Sequence, residues 1–539
     1  MANIWLEMFS SGSGDQTGCG IMQLIDYFDH GWRHNPDATC FIDGHGGKSW
    51  SYAETADVSH RVAASLRAAG VRRGSRVAVL SSNDPRAFMC QLGILRSGAA
   101  YVPLNMKSSD GDLAALLRLT ACDMLFYEGA LADRVAVLNG DLTSIRDFVA
   151  IGSGRPDDPE LSNWMAAPGT RVALPEEDGE APAWIMGTGG TTGLPKAVVM
   201  PQRAMAGQTL ALIAHLPEEK PVQAVMAPLT HAAGALTYPV FCQGGTTIVY
   251  REFDPETLIA SIERHKVTRF FLPPTAIYAL LAHPGVRGHD YASLRYILYG
   301  AAPMSADKLK EAMQVFGPVM AQFYGQAEAP TICAFMSPRD HIEAASDPAR
   351  EGRLASCGRA SVIANVAILD EDGTEAPTGT VGEICVRTPL RMIGYLDDPE
   401  KTAEVDRGHG WQGTGDLGRM DDDGYIYIVD RTRDMIISGG FNVYPSEVER
   451  ILWAHPAVGD CAVVGVPDDY WGEAVTAFVE VKPGAQVSSE ELIALCRAEL
   501  GPVKAPKAVH FRALPRSPVG KVLKRAIRDE YWKGRSRAV

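Results

Sequence analysis

Between Glu54 and Tyr299, short apolar runs alternate with stretches of helical spacing, and this rhythm restricts the fold more than any other feature. Arg76-Val-Ala-Val-Leu-Ser81 reads as a strand. Ahead of it, residues 54–69 place Val58, Val62, Ala63 and Leu66 at helical spacing and stop at Gly70. Residues 148–151, 247–250, 268–272 and 296–299 read as further strands, with residues 255–265 as a helix among them. Strands that alternate with helices imply mostly parallel sheets covered by helices.

After Ser361 the pattern changes to short strands at 366–369, 383–386 and 425–428, the last led in by the turn Asp421-Asp-Asp-Gly424. That suits a small β-rich subdomain. Beyond it come a helix at 445–453, strands at 460–464 and 475–481, and a helix at 488–500 with Ser488 as its N-cap. A chain of 539 residues is too long for one ordinary core. The expected architecture is α/β plus α+β. A large N-terminal domain (1–431) combines mostly parallel sheets, helices and the β-rich subdomain, and a small mobile α+β C-terminal domain (432–539) follows. The hinge falls at Arg431-Thr-Arg433, and no internal repeat is visible.

Hydrophobic residues make up 46% and charged residues 22%, as in a soluble globular protein. No apolar run approaches the roughly eighteen residues of a membrane span. Residues 1–21 carry little positive charge and are interrupted by Ser10-Ser-Gly-Ser-Gly14, so they read as a mobile arm and not a signal peptide. The formal charge is 51 − 65 = −14, which argues against nucleic acid as a main partner. The basic stretch from Lys521 to Arg537 reads mostly as solvated helix face. Ten cysteines without paired spacing read as reduced, mostly buried thiols of a cytoplasmic protein, not as a metal site or disulfide frame.

One segment carries chemistry on its face. After the apolar Ala183-Trp184-Ile185 comes Met186-Gly-Thr-Gly-Gly-Thr-Thr-Gly-Leu-Pro-Lys-Ala-Val198. Little side-chain bulk, many backbone N–H groups, several hydroxyls and one cation suit a loop that wraps polyphosphate. It is not the P-loop of kinases and GTPases, which needs Gly-Lys-Ser/Thr opening a helix. Leu194 and Pro195 separate Gly193 from Lys196. At Gly47-Lys48-Ser49 that motif's first glycine would fall on Ile42.

Thr188-Gly-Gly-Thr-Thr-Gly-Leu-Pro-Lys196 instead resembles the phosphate loop of the adenylate-forming superfamily, which includes acyl-CoA synthetases, luciferases and peptide-synthetase adenylation domains. Gly189 stands where that loop usually has serine, and Ala197 where it has glycine. Five further segments match the family in order. The resemblance implies that Thr188, Gly189, Gly190, Thr191, Thr192, Gly193 and Lys196 hold the phosphates of ATP. In Tyr299-Gly-Ala-Ala-Pro303, the backbone of Gly300, Ala301, Ala302 and Pro303 would lie against adenine. In Phe323-Tyr-Gly-Gln-Ala-Glu328, Tyr324 would stack on adenine and Glu328, with Thr188, would hold Mg²⁺. Phe323, Gly325, Gln326 and Ala327 complete that segment, Ala327 replacing the family's threonine. From Trp411-Gln-Gly-Thr-Gly-Asp416, Asp416 would accept both ribose hydroxyls, since two vicinal OH donors need a bidentate acceptor.

The resemblance also assigns Ile428 and Arg431 to the nucleotide, Arg431 on its ribose. Arg433 falls at the pivot, where relatives more often have Asp or Lys. Ser438, Gly439 and Gly440 would line the pantetheine tunnel, because absent side chains let a backbone approach closely. Pro515-Arg-Ser-Pro-Val-Gly-Lys521 resembles the last family motif, whose lysine meets charge developing on the α-phosphate and carboxylate. His231, in Pro228-Leu-Thr-His-Ala-Ala-Gly234, would gate the acyl site.

The implied reaction is carboxylate + ATP → acyl-AMP + pyrophosphate, then acyl-AMP + CoA → acyl-CoA + AMP. It uses ATP, Mg²⁺ and coenzyme A, with Lys521, Glu328, Thr188 and His231 nearest the chemistry. Residues 231–238, 273–278, 299–302 and 329–330 would line the acyl pocket. They are mainly small, apolar and aromatic, which suits a fatty, alicyclic or aromatic monocarboxylate. A homodimer is a family-level expectation. Two alternatives stay open: a carrier-protein thiol as acceptor or a luciferase-like oxidase, and a nucleotide-binding homologue without ligase activity.

Overall fold

In the strand Arg76–Ser81, Val77, Ala78, Val79 and Leu80 are each at most 3% exposed. A run buried on both faces belongs inside a parallel sheet covered by helices. The computed structural model, which describes residues 22–139, 144–188, 196–370, 372–516 and 522–533, places it there. It pairs in parallel with Ala100–Asn105 on one side and Met124–Glu128 on the other. Asp147–Ile151 extends the sheet beyond the latter. Beyond Ala100–Asn105 lie Pro182–Thr188, Lys196–Pro201 and the two-residue strand Gly394–Tyr395, the last two antiparallel to their neighbours.

A second, nine-stranded sheet has a parallel centre of Thr39–Asp43, Thr246–Val249, Val222–Val225, Arg269–Phe271, Tyr296–Gly300 and Met320–Tyr324, with antiparallel margins. Phe28, Phe41, Phe88, Tyr238 and Phe241 pack edge-on or tilted in the main core. The bidentate pair Arg96–Asp29, with Ser59 accepting from Arg96 Nε, ties together the helices Leu24–His34, Tyr52–Ala68 and Pro85–Ser97.

Local chemistry sets the element ends. The helix Tyr52–Ala68 starts two residues earlier than its apolar spacing suggests, because Ser51 and Glu54 form a capping box. Pro255–His265 has the expected bounds. Asp254 caps Thr257 N, Pro255 fits the first turn, and Lys266 closes the helix in the left-handed region.

Asn365–Leu369, Gly382–Arg387, Gln412–Met420 and Ile426–Arg431 form a separate antiparallel sheet. The remaining chain builds a five-stranded sheet from Ile436–Ser438, Phe441–Val443, Val458–Asp468, Gly472–Val481 and Ala508–Phe511. Its own core includes Ile436, Val448, Val463, Val475 and Leu492, under the helices Pro445–Ala454 and Ser489–Lys504. The molecule therefore has a large N-terminal domain and a small C-terminal one. The strand read at 460–464 runs from Val458 to Asp468, because the whole of it pairs along Gly472–Val481. Among the described residues, no helix is long and apolar enough to cross a membrane. The nine described cysteines are unbridged, and eight of them are buried.

Candidate active site

Thr188 ends one strand, Lys196 begins the next, and the two are backbone partners in the antiparallel pair. The ends of the glycine–threonine segment are thereby fixed side by side on the sheet. Gly189, Gly190, Thr191, Thr192 and Gly193 lie outside the described residues, as does Lys521.

Lys196 holds its ammonium 4.5 Å from the ring centroid of Tyr395. Tyr395 is the partner of Val198 in the short strand Gly394–Tyr395, and its hydroxyl donates to Glu328 Oε1 at 3.0 Å. Burial, then the charge of Glu328, pushes this phenol well above its ordinary pKa, so it stays a donor. The Glu328 carbonyl accepts from Gln412 Nε2 at 2.8 Å and from Met392 N at 3.2 Å. Its Oε2 receives no hydrogen bond among the described residues. One anchored carboxylate with an oxygen to spare fits Mg²⁺, which is typically held by one or two carboxylates plus phosphates and waters.

A second group forms four residues away. Tyr324, at the end of Met320–Tyr324, donates to Asp416 Oδ2 at 2.8 Å. Arg431 is the cross-strand partner of Asp416 and brings Nε to 3.5 Å from Oδ1. Burial, reinforced by the Asp416 charge, raises the Tyr324 phenol far above its usual pKa. Gly325 is required where it stands: a Cβ there would lie 2.2 Å from the Pro330 carbonyl oxygen. Gln326, Ala327 and Glu328 are partly exposed beside it. Phe323 packs tilted against Phe271 at 5.3 Å and pairs with Gly300. Ala301 follows with φ +65°, a left-handed conformation unusual for alanine and the kind of local strain that clusters at binding sites. Ala301 and Pro303 are exposed and Ala302 half-buried. Ile428, on the edge strand of the antiparallel sheet, is 39% exposed.

His231 immediately precedes the short helix Ala232–Ala235, with Nδ1 3.1 Å from Thr230 Oγ1. Burial lowers its pKa below the usual histidine value, so it is neutral at pH 7. Tyr238 and Tyr299, expected around the acyl group, are fully buried. Gln91 donates to Tyr238, and the Tyr299 hydroxyl meets His341 Nε2, so both rings serve the core. A crevice lined by Asn83, Gln91, Tyr101, Lys107, Thr230 and Arg251 opens at the carboxyl ends of the parallel strands, where open α/β sheets bind ligands.

In the C-terminal domain, Gly439 and Gly440 form a two-residue hairpin turn with φ 59° and 82°. A Cβ on Gly439 would come within 2.9 Å of the Trp471 ring. Ser438 beside it is fully buried. Arg433 is depressed in pKa by burial and by the nearby Arg431 charge. The structure thus brings Lys196, Glu328, Tyr324, Asp416 and Arg431 into one connected array. Tyr395, absent from the sequence reading, and Gln412, quoted there within Trp411–Asp416 without a role, link its parts. Their roles depend on strand pairing across the fold, which no local motif shows.

Residues 28–396 match the AMP-binding enzyme family, and residues 447–521 match the AMP-binding enzyme C-terminal domain. The chain is 35% identical over 530 residues to the medium/long-chain-fatty-acid–CoA ligase FadD8 of Mycobacterium tuberculosis, covering 94% of this chain and 90% of that one. It is likewise 35% identical to a feruloyl-CoA synthase of Amycolatopsis sp., over 93% of this chain and 97% of that one. Among solved structures, the amide bond synthetase McbA from Marinactinospora thermotolerans superposes with a TM-score of 0.85 at 32% identity, covering 94% of this chain and all of that one.

Proposed function

The chain belongs to the AMP-binding, adenylate-forming enzyme family and is an AMP-forming acid–thiol ligase; on that premise, we propose that it converts an apolar monocarboxylate to its CoA thioester. The observation that carries this reading is the convergence of Tyr324, Asp416, Arg431, Glu328 and Lys196 from strands distant in sequence.

Carboxylates resist nucleophiles because the leaving group would be oxide, whereas AMP leaves a mixed anhydride readily. The substrate carboxylate attacks the α-phosphorus of ATP, a P–O bond forms, and pyrophosphate departs. Asp416 holds the ribose hydroxyls, its present partners Tyr324 and Arg431 marking both oxygens as acceptors. Lys196 and the Thr188–Gly193 segment hold the β- and γ-phosphates, and Lys521 steadies the charge growing on the α-phosphate. When bound, Mg²⁺ supplies charge neutralisation on the phosphates, with Glu328 and Thr188 to hold it. These residues act by positioning and electrostatics, with no covalent enzyme intermediate. In the second half-reaction the CoA thiol attacks the acyl carbon and AMP leaves. The division at Arg431 lets the C-terminal domain turn about Arg431–Arg433, exchanging Lys521 for the Gly439–Gly440 face, a hinge transition.

The acid is fatty, alicyclic or aromatic. Neutral His231 and the small, apolar residues at 273–278 and 329–330 suit an uncharged tail. The likeness to an amide bond synthetase favours one second reading, in which an amine takes the acyl group from the adenylate. A panel of monocarboxylates assayed for pyrophosphate release, with CoA, with amines and with neither, tests both. Acid-dependent release with thioester formed only with CoA is the expected result. Amide without thioester selects the second reading, and no acid-dependent release overturns both.

A further inference from the structure

Lys196 and Glu328 carry opposite charges within one small site, and a lysine and a carboxylate left in contact pair with each other. Such a pair would spend both groups before any ligand arrived. Between them stands Tyr395, which is 8% exposed. Its ring face takes the Lys196 ammonium at 4.5 Å and its hydroxyl donates to Glu328 Oε1 at 3.0 Å. A ring attracts a cation without neutralising it. A single phenol hydrogen bond fixes a carboxylate while leaving its second oxygen available.

We propose that Tyr395 is a positioning residue that separates Lys196 from Glu328 and aims both at one polyphosphate, the lysine directly and the glutamate through the metal it holds. This deepens the reading given above and rests on it. The backbone supports the assignment independently of the ring. Ile393 N donates to Val199 O at 2.9 Å, and Leu396 N to Ala197 O at 2.8 Å. Tyr395 N donates to Thr402 Oγ1 at 2.9 Å. Residues 393–396 are thus clamped to the strand that begins with Lys196, whatever side chain position 395 carries. Asp398, in the same turn, is occupied by the ammonium and backbone N–H of Lys401.

The two contacts separate by substitution. Tyr395→Phe keeps the ring face and removes the hydroxyl, whereas Tyr395→Leu removes both. Calorimetric titration of ATP into the full chain, in EDTA and again with Mg²⁺, reads binding without turnover. Tyr395→Phe is expected to bind metal-free ATP within about twofold of wild type and to lose about fivefold of the affinity gained from Mg²⁺, the net scale of one ordinary hydrogen bond. Tyr395→Leu is expected to lose about tenfold in metal-free affinity as well, the scale of a desolvated cation–π contact. Equal losses in metal-free binding for both variants, or none in either condition, overturn the proposal. Lys196→Ala run alongside distinguishes the levels. If it weakens ATP binding while both Tyr395 variants match wild type, only the role of Tyr395 falls. If it leaves ATP binding unchanged, or wild type binds no ATP, the underlying reading falls and takes this role with it.

Discussion

Asp416 and Asp430 belong to the same pair of antiparallel strands, Asp416 opposite Arg431 and Asp430 opposite Leu417, yet they are held in opposite ways. Asp416 takes a phenol at 2.8 Å and a guanidinium at 3.5 Å, both from side chains, that of Arg431 partly exposed. Asp430 takes the backbone N–H groups of Arg431 at 2.7 Å and Ser446 at 2.8 Å, which cannot leave without moving the chain. Behind it, buried Glu449 accepts from Val463 N at 2.8 Å and pairs with Lys524 at 2.8 Å. Burial raises the pKa of both carboxyls, and Lys524, kept charged by them, opposes that shift. The side proposed to hold the nucleotide therefore carries side-chain partners, and the other side carries backbone ones. The carboxylate proposed to take a ligand is held by side chains. A carboxylate meant to brace a joint is held by backbone.

Removing the cation from the braced side gives the largest effect. Lys524→Met leaves Glu449 and Asp430 facing each other without compensation and is expected to cost about 3 kcal/mol of stability, read by urea unfolding at pH 7. A loss under about 0.5 kcal/mol would mean that this side is as adaptable as the other. Asp416→Ala is the mirror experiment. It is expected to raise the KM for ATP about 100-fold, near 2.7 kcal/mol, and to cost only about 1 kcal/mol of stability, that of one acceptor lost to the buried Tyr324 hydroxyl. A large stability loss would erase the contrast.

His341, on the helix Pro338–Ser346, sharpens the comparison from within the scaffold by meeting Tyr299 on the strand that ends at Gly300. Its Nδ1 donates to Ser337 O at 2.7 Å, so Nε2 accepts from Tyr299 at 2.8 Å, and burial lowers its pKa to about 4. The folded state binds fewer protons here than the unfolded state. Its contribution is therefore present above the ordinary value of 6.5 and is lost as pH falls from there toward about 4. The stability gap between wild type and His341→Gln is expected to narrow by about 2 kcal/mol across that window, measured by thermal unfolding at successive pH values. The smallest effect belongs to Gly439→Ala, about 1 kcal/mol of backbone strain plus crowding on Trp471. It is expected to slow thioester formation more than pyrophosphate release.

Much of this was legible in the chain. The strand Arg76–Ser81 and the helix Pro255–His265 follow from periodicity and an Asp–Pro start, which are local signals. The phosphate segment is legible because its composition is itself chemical. Tyr395 was not, since a two-residue strand acquires meaning only through its pairing with Val198. The core placement of Tyr238 and Tyr299 was hidden for the same reason. Their partners Gln91 and His341 lie 147 and 42 residues away.

The most direct test concerns Lys521, assigned to adenylation alone. With an acid that wild type activates, Lys521→Ala is assayed for acid-dependent ATP–pyrophosphate exchange and, separately, for thioester formation from the preformed acyl-adenylate. The account predicts exchange reduced about 100-fold or more, the scale of removing one preorganised charge-stabilising group, with thioester formation from the adenylate nearly unchanged. Exchange at the wild-type rate would contradict it.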